Sequence, residues 1–362
     1  MQVVHQMPAS GHCVRASLRL SPQTPCSPNK CGQYERYQPV AYGLRLTLAS
    51  QRNILWIIEI DTMMTEKPYA NPTRPPPAQL IEPLADLAAW KRYFLDAEIP
   101  VLASTAAALE SLRAEEEAVD ASMLAAVIEK DPIMTVKMFA HVAAQRKGMV
   151  TTDQETILSA IVMTGVAPFF RNFGPQYTVE DHLNAYPVAL EGVHRLIRRA
   201  QRAAHFATGF ALHRMDRDVE IIRQAAFLND FSELLMWCYA PRMQIEIKAM
   251  QRSNPTLRSA ALQRFVFNID LADLRQELMK EWRFPELLIR ISDAKHADHP
   301  IVRNVLLAVR LARHTENGWD NPALPDDITE IANLLNATER VARGFVYKID
   351  QDRESTSDGA TP

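Results

Sequence analysis

From about residue 80 to residue 349 the chain is a nearly unbroken succession of amphipathic helical periods with recognisable ends, which restricts the fold more than any other feature. LIEPLADLAAWKRYFLDA (80–97) sets Leu84, Leu87, Trp90 or Lys91, and Phe94 at helical spacing, and Ile99-Pro100 closes the run. A second helix places Leu102, Ala106, Leu109 and Leu112 on one side. Asp120 can cap ASMLAAVIEKDP, which breaks or kinks at Pro132 because proline disfavours the α conformation in the residue before it, and TVKMFAHVAA resumes the helix. Thr152 with Glu155 forms a capping-box pattern before ILSAIVMTG, where Gly165 suits the C-terminus. The Pro, Gly and aromatic stretch at 167–187 reads as a connection, and the helix from about 188 to 214 is the longest. Asp216 or Asp218 opens the next, which carries QAAFLNDFSELLMW (224–237) and ends at Pro241. Further helices fit 242–252, 256–267, 271–282, 286–294, 301–316, 326–336 and 337–349. Only 11 of 362 residues are glycine, so composition agrees with an all-α, compact multi-helix domain over 80–350.

Outside that region the pattern differs. Residues 1–63 mix Pro, Ser, Cys and Gln around one apolar run, ILWIIEI (54–60), and read as an extension without a clear fold, consistent with an overcalled start at Met63 or Met64. Residues 64–79 read as a Pro-rich disordered leader, and 351–362 as a disordered tail. Cys13, Cys26 and Cys31 form no CxxC pair and have no histidine at zinc-finger spacing, while Cys238 reads as a small core residue. No apolar run reaches the length of a membrane span, and the start lacks the basic and apolar regions of a signal peptide, so the expected compartment is the cytoplasm. A net charge of -3 gives no global attraction to nucleic acid or to an anionic membrane, and neither is an expected partner. GxGxxG, GxxxxGK[ST] and GxSxG are all absent, which removes the usual signals of nucleotide-dependent enzymes and serine hydrolases.

Several phrases, taken in order, resemble the HDOD domain family, helical relatives of the HD-type metal-dependent phosphohydrolases. They are IPVLASTAAALESL, LAAVIEKDPIMTVKMFAHVA, ILSAIVMTG, HRLIRRAQRAAHFATGFA, AAFLNDFSELLMW, LMKEWRFPELLIRI and DAKHADHPIVRNVLLAVRLARHT, spread over about residues 80–320. The family often carries Leu-His-Asp where this chain has Leu228-Asn229-Asp230, the place at which HD enzymes supply two metal ligands. Asp230 matches and Asn229 replaces the histidine. A side-chain amide offers a neutral, weakly basic oxygen where imidazole would offer a nitrogen lone pair, so the resemblance implies a degenerate site with no catalytic metal and no cofactor. His194 and His205 lie eleven residues apart where an HD enzyme supplies its first histidine, and His296 and His299 are separated by Ala-Asp. The bland reading of Asn229 and Asp230 is a satisfied polar node that fixes helix packing.

The resemblance implies signal transduction: a non-catalytic regulatory protein of the bacterial cytosol that binds a partner protein or a small signalling ligand. The candidate cleft is the one carrying His205, Asp230 and His296. The competing expectation is a divergent metal-dependent phosphohydrolase acting on nucleotides or phosphodiesters, with those three residues as ligands to a metal that acidifies water. Arg195, Arg198, Arg199 and Arg202 recur at three- and four-residue intervals opposite Ile197, Ala200, Ala204 and Ala207, a basic stripe suited to an anionic partner or simply a solvated helix face. Trp282-Arg283-Phe284-Pro285 reads as core packing at a helix end.

Overall fold

The computed structural model describes residues 79–145, 156–254 and 256–358. The expectations for residues 1–63, for the leader up to residue 78 and for the Thr152–Glu155 capping box lie outside the described residues. Among the described residues the protein is all-α. In chain order the helices are α1 (Leu87–Asp96), α2 (Ala103–Ala114), α3 (Ala121–Ile128), α4 (Pro132–Gln145), α5 (Ile157–Thr164), α6 (Val166–Asn172), α7 (Val179–His182) and α8 (Pro187–Arg214). They continue as α9 (Val219–Phe227), α10 (Phe231–Tyr239), α11 (Pro241–Ser253), α12 (Ser259–Phe267), α13 (Leu271–Glu281), α14 (Glu286–Ile291), α15 (Pro300–His314), α16 (Leu324–Leu335) and α17 (Glu339–Asp358). A parallel bridge between Val101 and Thr178 ties the start of α2 to the start of α7. No described helix is long and apolar enough to cross a membrane.

Local chemistry explains most helix starts. The Asp86 carboxylate accepts from the Ala89 amide at 2.8 Å, Asp120 from the amides of Ser122 and Met123, and Asp270 from Ala272, each satisfying donors that a helix start leaves open. Proline occupies the first position of α4, α8, α11 and α15, where its missing N–H is not needed. The capping box of α5 is Thr156 with Ser159, and Gly165 follows its last residue as expected.

Four boundaries differ from the sequence reading. The first helix begins at Leu87 rather than near residue 80, because Pro83 and the Asp86 cap precede it. The 167–187 connection contains two short helices, α6 burying Phe169 and Phe170 and α7 capped by the Thr178 hydroxyl. α17 continues to Asp358, through most of the segment read as a disordered tail, and residues 345–358 hold no Gly or Pro. QAAFLNDFSELLMW is not one helix but two, α9 and α10, broken at Leu228–Asp230. The Asn229 carbonyl, which a continuous helix would present to the amide four residues on, instead accepts from Arg275 Nη1 at 2.6 Å.

The 28-residue α8 is the axis of the core, with α9, α10, α11, α15, α16 and α17 packed around it. Its buried side is largely alanine, with Phe206 and Phe210 as large anchors. Two of its glycines permit close approach of neighbours: a Cβ on Gly192 would fall 2.8 Å from the Trp237 ring of α10, and one on Gly209 would collide with Ile349 of α17.

Candidate functional site

The α9–α10 break places Asn229 and Asp230 beside the middle of α8, and side chains from α8, α13 and α15 converge on them. Asp230 Oδ2 accepts from Arg199 of α8, at 2.7 Å from Nη2 and 3.2 Å from Nε. Asp230 Oδ1 accepts from the Asn229 amide at 2.8 Å and from Arg313 of α15 at 3.4 Å. Asn229 Oδ1 in turn accepts from Arg275 of α13 at 2.8 Å, and Arg275 Nη2 donates to the Ser292 carbonyl at 2.8 Å. Arg199 also meets Glu233 of α10 and Glu316, which follows α15, each at 3.5 Å. The Arg199 side chain is only 7% exposed and that of Asp230 11%, so this is an interior charge network.

The electrostatics follow from that packing. Burial alone would raise the Asp230 carboxyl, but the guanidinium groups of Arg199, Arg313 and Arg275 outweigh it and hold the group well below the usual carboxylate range. Burial would likewise lower Arg199, and Asp230, Glu233 and Glu316 reverse that. Breaking one member of such a network is costly, because the remaining charge is left buried without its partner.

A divalent cation does not fit this arrangement. Asp230 directs both oxygens at nitrogen donors, Asn229 uses both ends of its amide on Asp230 and Arg275, and three positive charges already surround the carboxylate. Among the described residues no group of three or more His, Cys, Asp or Glu is placed to hold a metal ion. Arg199 stands on α8, the helix from which the first histidine was sought, and its guanidinium occupies the position of a cation beside Asp230.

The other sequence-derived residues are distributed differently. His205 is exposed on α8, and His296 is exposed in a short turn with Nδ1 3.7 Å from Asp293, so neither joins the buried Asp230 as the candidate cleft expected. His194 faces Glu180 at 3.3 Å, and His299 caps α15. The arginine stripe divides. Arg198 is exposed and meets Glu191 at 3.0 Å, and Arg195 meets Glu316 at 3.3 Å through Nε. Arg199 is buried as described, and Arg202 holds Asp350 of α17 with both ends of its guanidinium, donates to the Thr315 carbonyl and lies over the Phe206 and Trp319 rings. Trp282 is buried in the core, as expected. Sequence reasoning missed Arg275, Arg313, Glu316 and Lys248. A signal existed for Arg275, which occupies an apolar-face position of α13 in step with Leu271, Leu274 and Leu278.

The sequence profile of the HDOD domain matches residues 99–298, more than half of the chain. The chain belongs to the HDOD family. Among solved structures, the HDOD protein is similar to the MmoQ response regulator of Methylococcus capsulatus str. Bath, at 22% identity and a TM-score of 0.50, covering 66% of this chain and 98% of that one. It is also similar to a virulence factor of Campylobacter jejuni subsp. jejuni, at 18% identity and a TM-score of 0.51, covering 74% and 95%. At these identities the likeness establishes the shared helical fold. No curated protein matches the chain.

Proposed function

We propose that this HDOD protein is a non-catalytic regulator of the bacterial cytosol, acting in signal transduction by binding a partner protein or a small signalling ligand, with residues 80–350 as its functional unit. The observation that carries this reading is the Arg199–Asp230 pair, in which a protein guanidinium sits against the carboxylate that an HD enzyme would offer to metal. A fixed internal cation neutralises Asp230 but supplies no exchangeable water to be acidified, which is what metal-dependent hydrolysis requires. The likeness to a response regulator agrees with a signalling role. What remains to such a fold is binding, and its output is a change in what it holds.

The test is elemental analysis of the purified full chain together with a nucleotide and phosphodiester hydrolysis panel. The expected result is substoichiometric iron, manganese and zinc and no turnover. Stoichiometric metal with activity lost in Asp230→Ala would overturn the reading in favour of a divergent phosphohydrolase.

A further inference from the structure

The charges of the interior network do not end at Glu316. Lys248 of α11 lies at its outer edge, within the field of Glu233 and Glu316, which favour its charge, and of Arg199 and Arg195, which oppose it. It is half-buried, yet among the described residues it makes no hydrogen bond or ion pair. Burial disfavours its ammonium and lowers its pKa. Beside it opens a cavity of about 550 Å3 between the first turns of α8 and the second half of α11. Its lining combines three cations, Arg195 of α8 with Lys248 and Arg252 of α11, and the apolar Pro187, Val188 and Trp237.

We propose that this cavity binds a phosphate monoester with an apolar body, of nucleotide size, with Lys248, Arg195 and Arg252 holding the phosphate. The inference rests on the reading of the protein as a ligand-binding regulator and names the ligand class and its place. Three cations line the cavity, and the carboxylate among its walls, Glu191, is engaged by Arg198 at 3.0 Å. Arg252 is exposed and has no ion-pair partner among the described residues, while Arg195, its side chain 42% exposed, meets Glu316 through Nε at 3.3 Å. A phosphate monoester carries roughly -1.5 to -2 at neutral pH and offers three acceptor oxygens, enough to meet two guanidinium forks and an ammonium together. A monocarboxylate would leave most of that charge unmatched. The apolar part of the lining suits the other half of the ligand: Val188 is 56% exposed, and Trp237 is a buried boundary rather than a free stacking face. The volume falls within the roughly 300–1,000 Å3 typical of small-molecule sites.

Neighbouring features argue against a long polyanion. Glu191 and Glu246 are exposed on the same two helices and interrupt the basic surface, whereas nucleic acid needs a continuous groove. A larger cavity, of about 700 Å3 and lined in part by Lys137 and His141, is less suited to an anion because Lys137 is already held by Glu98 at 2.6 Å.

The experiment is calorimetric titration of the full chain with the four ribonucleoside 5′-monophosphates, the matching nucleosides, inorganic phosphate and a decaglutamate peptide. At least one monophosphate should bind tenfold or more tightly than both its nucleoside and inorganic phosphate. Lys248→Met should weaken it at least tenfold and Arg252→Ala at least threefold, whereas Arg264→Ala, an exposed cation elsewhere, should leave it unchanged. Arg252 is exposed, so its variant tests the site even if Lys248→Met fails to fold, which thermal melting will report. No monophosphate binding, equal binding by the nucleosides, or affinity unchanged in Arg252→Ala overturns the proposal. Binding of the peptide alone overturns it while leaving the regulatory reading intact. Metal-dependent turnover of a monophosphate sinks the regulatory reading, and the Lys248 and Arg252 variants then decide the pocket separately.

Discussion

Two sets of cations meet along α8, and they are held in opposite ways. Around Asp230 the cations are engaged: Arg199 and Arg275, both buried, and Arg313, which reaches in from the surface, converge on one carboxylate and its neighbouring amide. About one helical turn toward the start of α8, Arg195 lines an open cavity together with Lys248 and Arg252, where positive charge exceeds what the walls neutralise. The first arrangement is complete without any ligand and suits a structural node. The second is incomplete, and incompleteness at a solvent-accessible concavity is what binding sites have in common.

Breaking the closed set should have the largest effect. Arg199→Met leaves Asp230 and Glu233 buried without their main counter-ion, and should destabilise the fold by about 3–5 kcal/mol in urea unfolding. A loss under about 1 kcal/mol would mean that Arg313 and Arg275 suffice and the node is not as closed as described. Gly192→Ala comes next, since its Cβ would press on Trp237 at 2.8 Å, with an expected cost of about 1–3 kcal/mol and a distorted floor to the open pocket.

The acid limb of stability sharpens the contrast. The folded-state pKa of Asp230 lies below its unfolded value, so its contribution is present above about pH 4 and is lost as pH falls toward the folded value. Unfolding midpoints measured from pH 5 to pH 2 should therefore fall more steeply in the native protein than in Asp230→Asn. Asn229→His removes the amide that joins Asp230 to Arg275 and should cost about 1 kcal/mol, without producing stoichiometric metal binding or phosphohydrolase activity, since Arg199 still occupies the carboxylate. The smallest effect belongs to Arg198→Ala: the pair it forms with Glu191 is more than half exposed, and the change should stay within about 0.5 kcal/mol.

The fold was legible in the sequence because helix ends announce themselves locally. Asp120, Asp270, Gly165 and the prolines of α4 and α8 act within a few residues of where they stand. The break inside QAAFLNDFSELLMW was not legible, because the apolar period continues across it and its cause is Arg275, 46 residues away. The candidate site was half legible. Asp230 and Arg199 both attracted notice, one as a remnant ligand and the other as part of a basic stripe, yet nothing in their spacing says that they touch. Lys248 gave no signal at all, since a lysine on an amphipathic helix is ordinary until it is known to line a cavity and to lack an ion-pair partner among the described residues.

The grip of α17 on α8 bears on how the protein can be divided. The HDOD profile ends at residue 298, but Arg202 of α8 holds Asp350, Gly209 receives Ile349, and Trp319 stacks on Tyr347 with ring centroids 4.0 Å apart. A fragment trimmed to the profile would strip the side of its longest helix, leaving a bare alanine groove and an orphaned guanidinium. The three helices that follow the profile pack on that helix and are part of the scaffold, so a fragment ending at residue 298 is expected to melt well below the full chain.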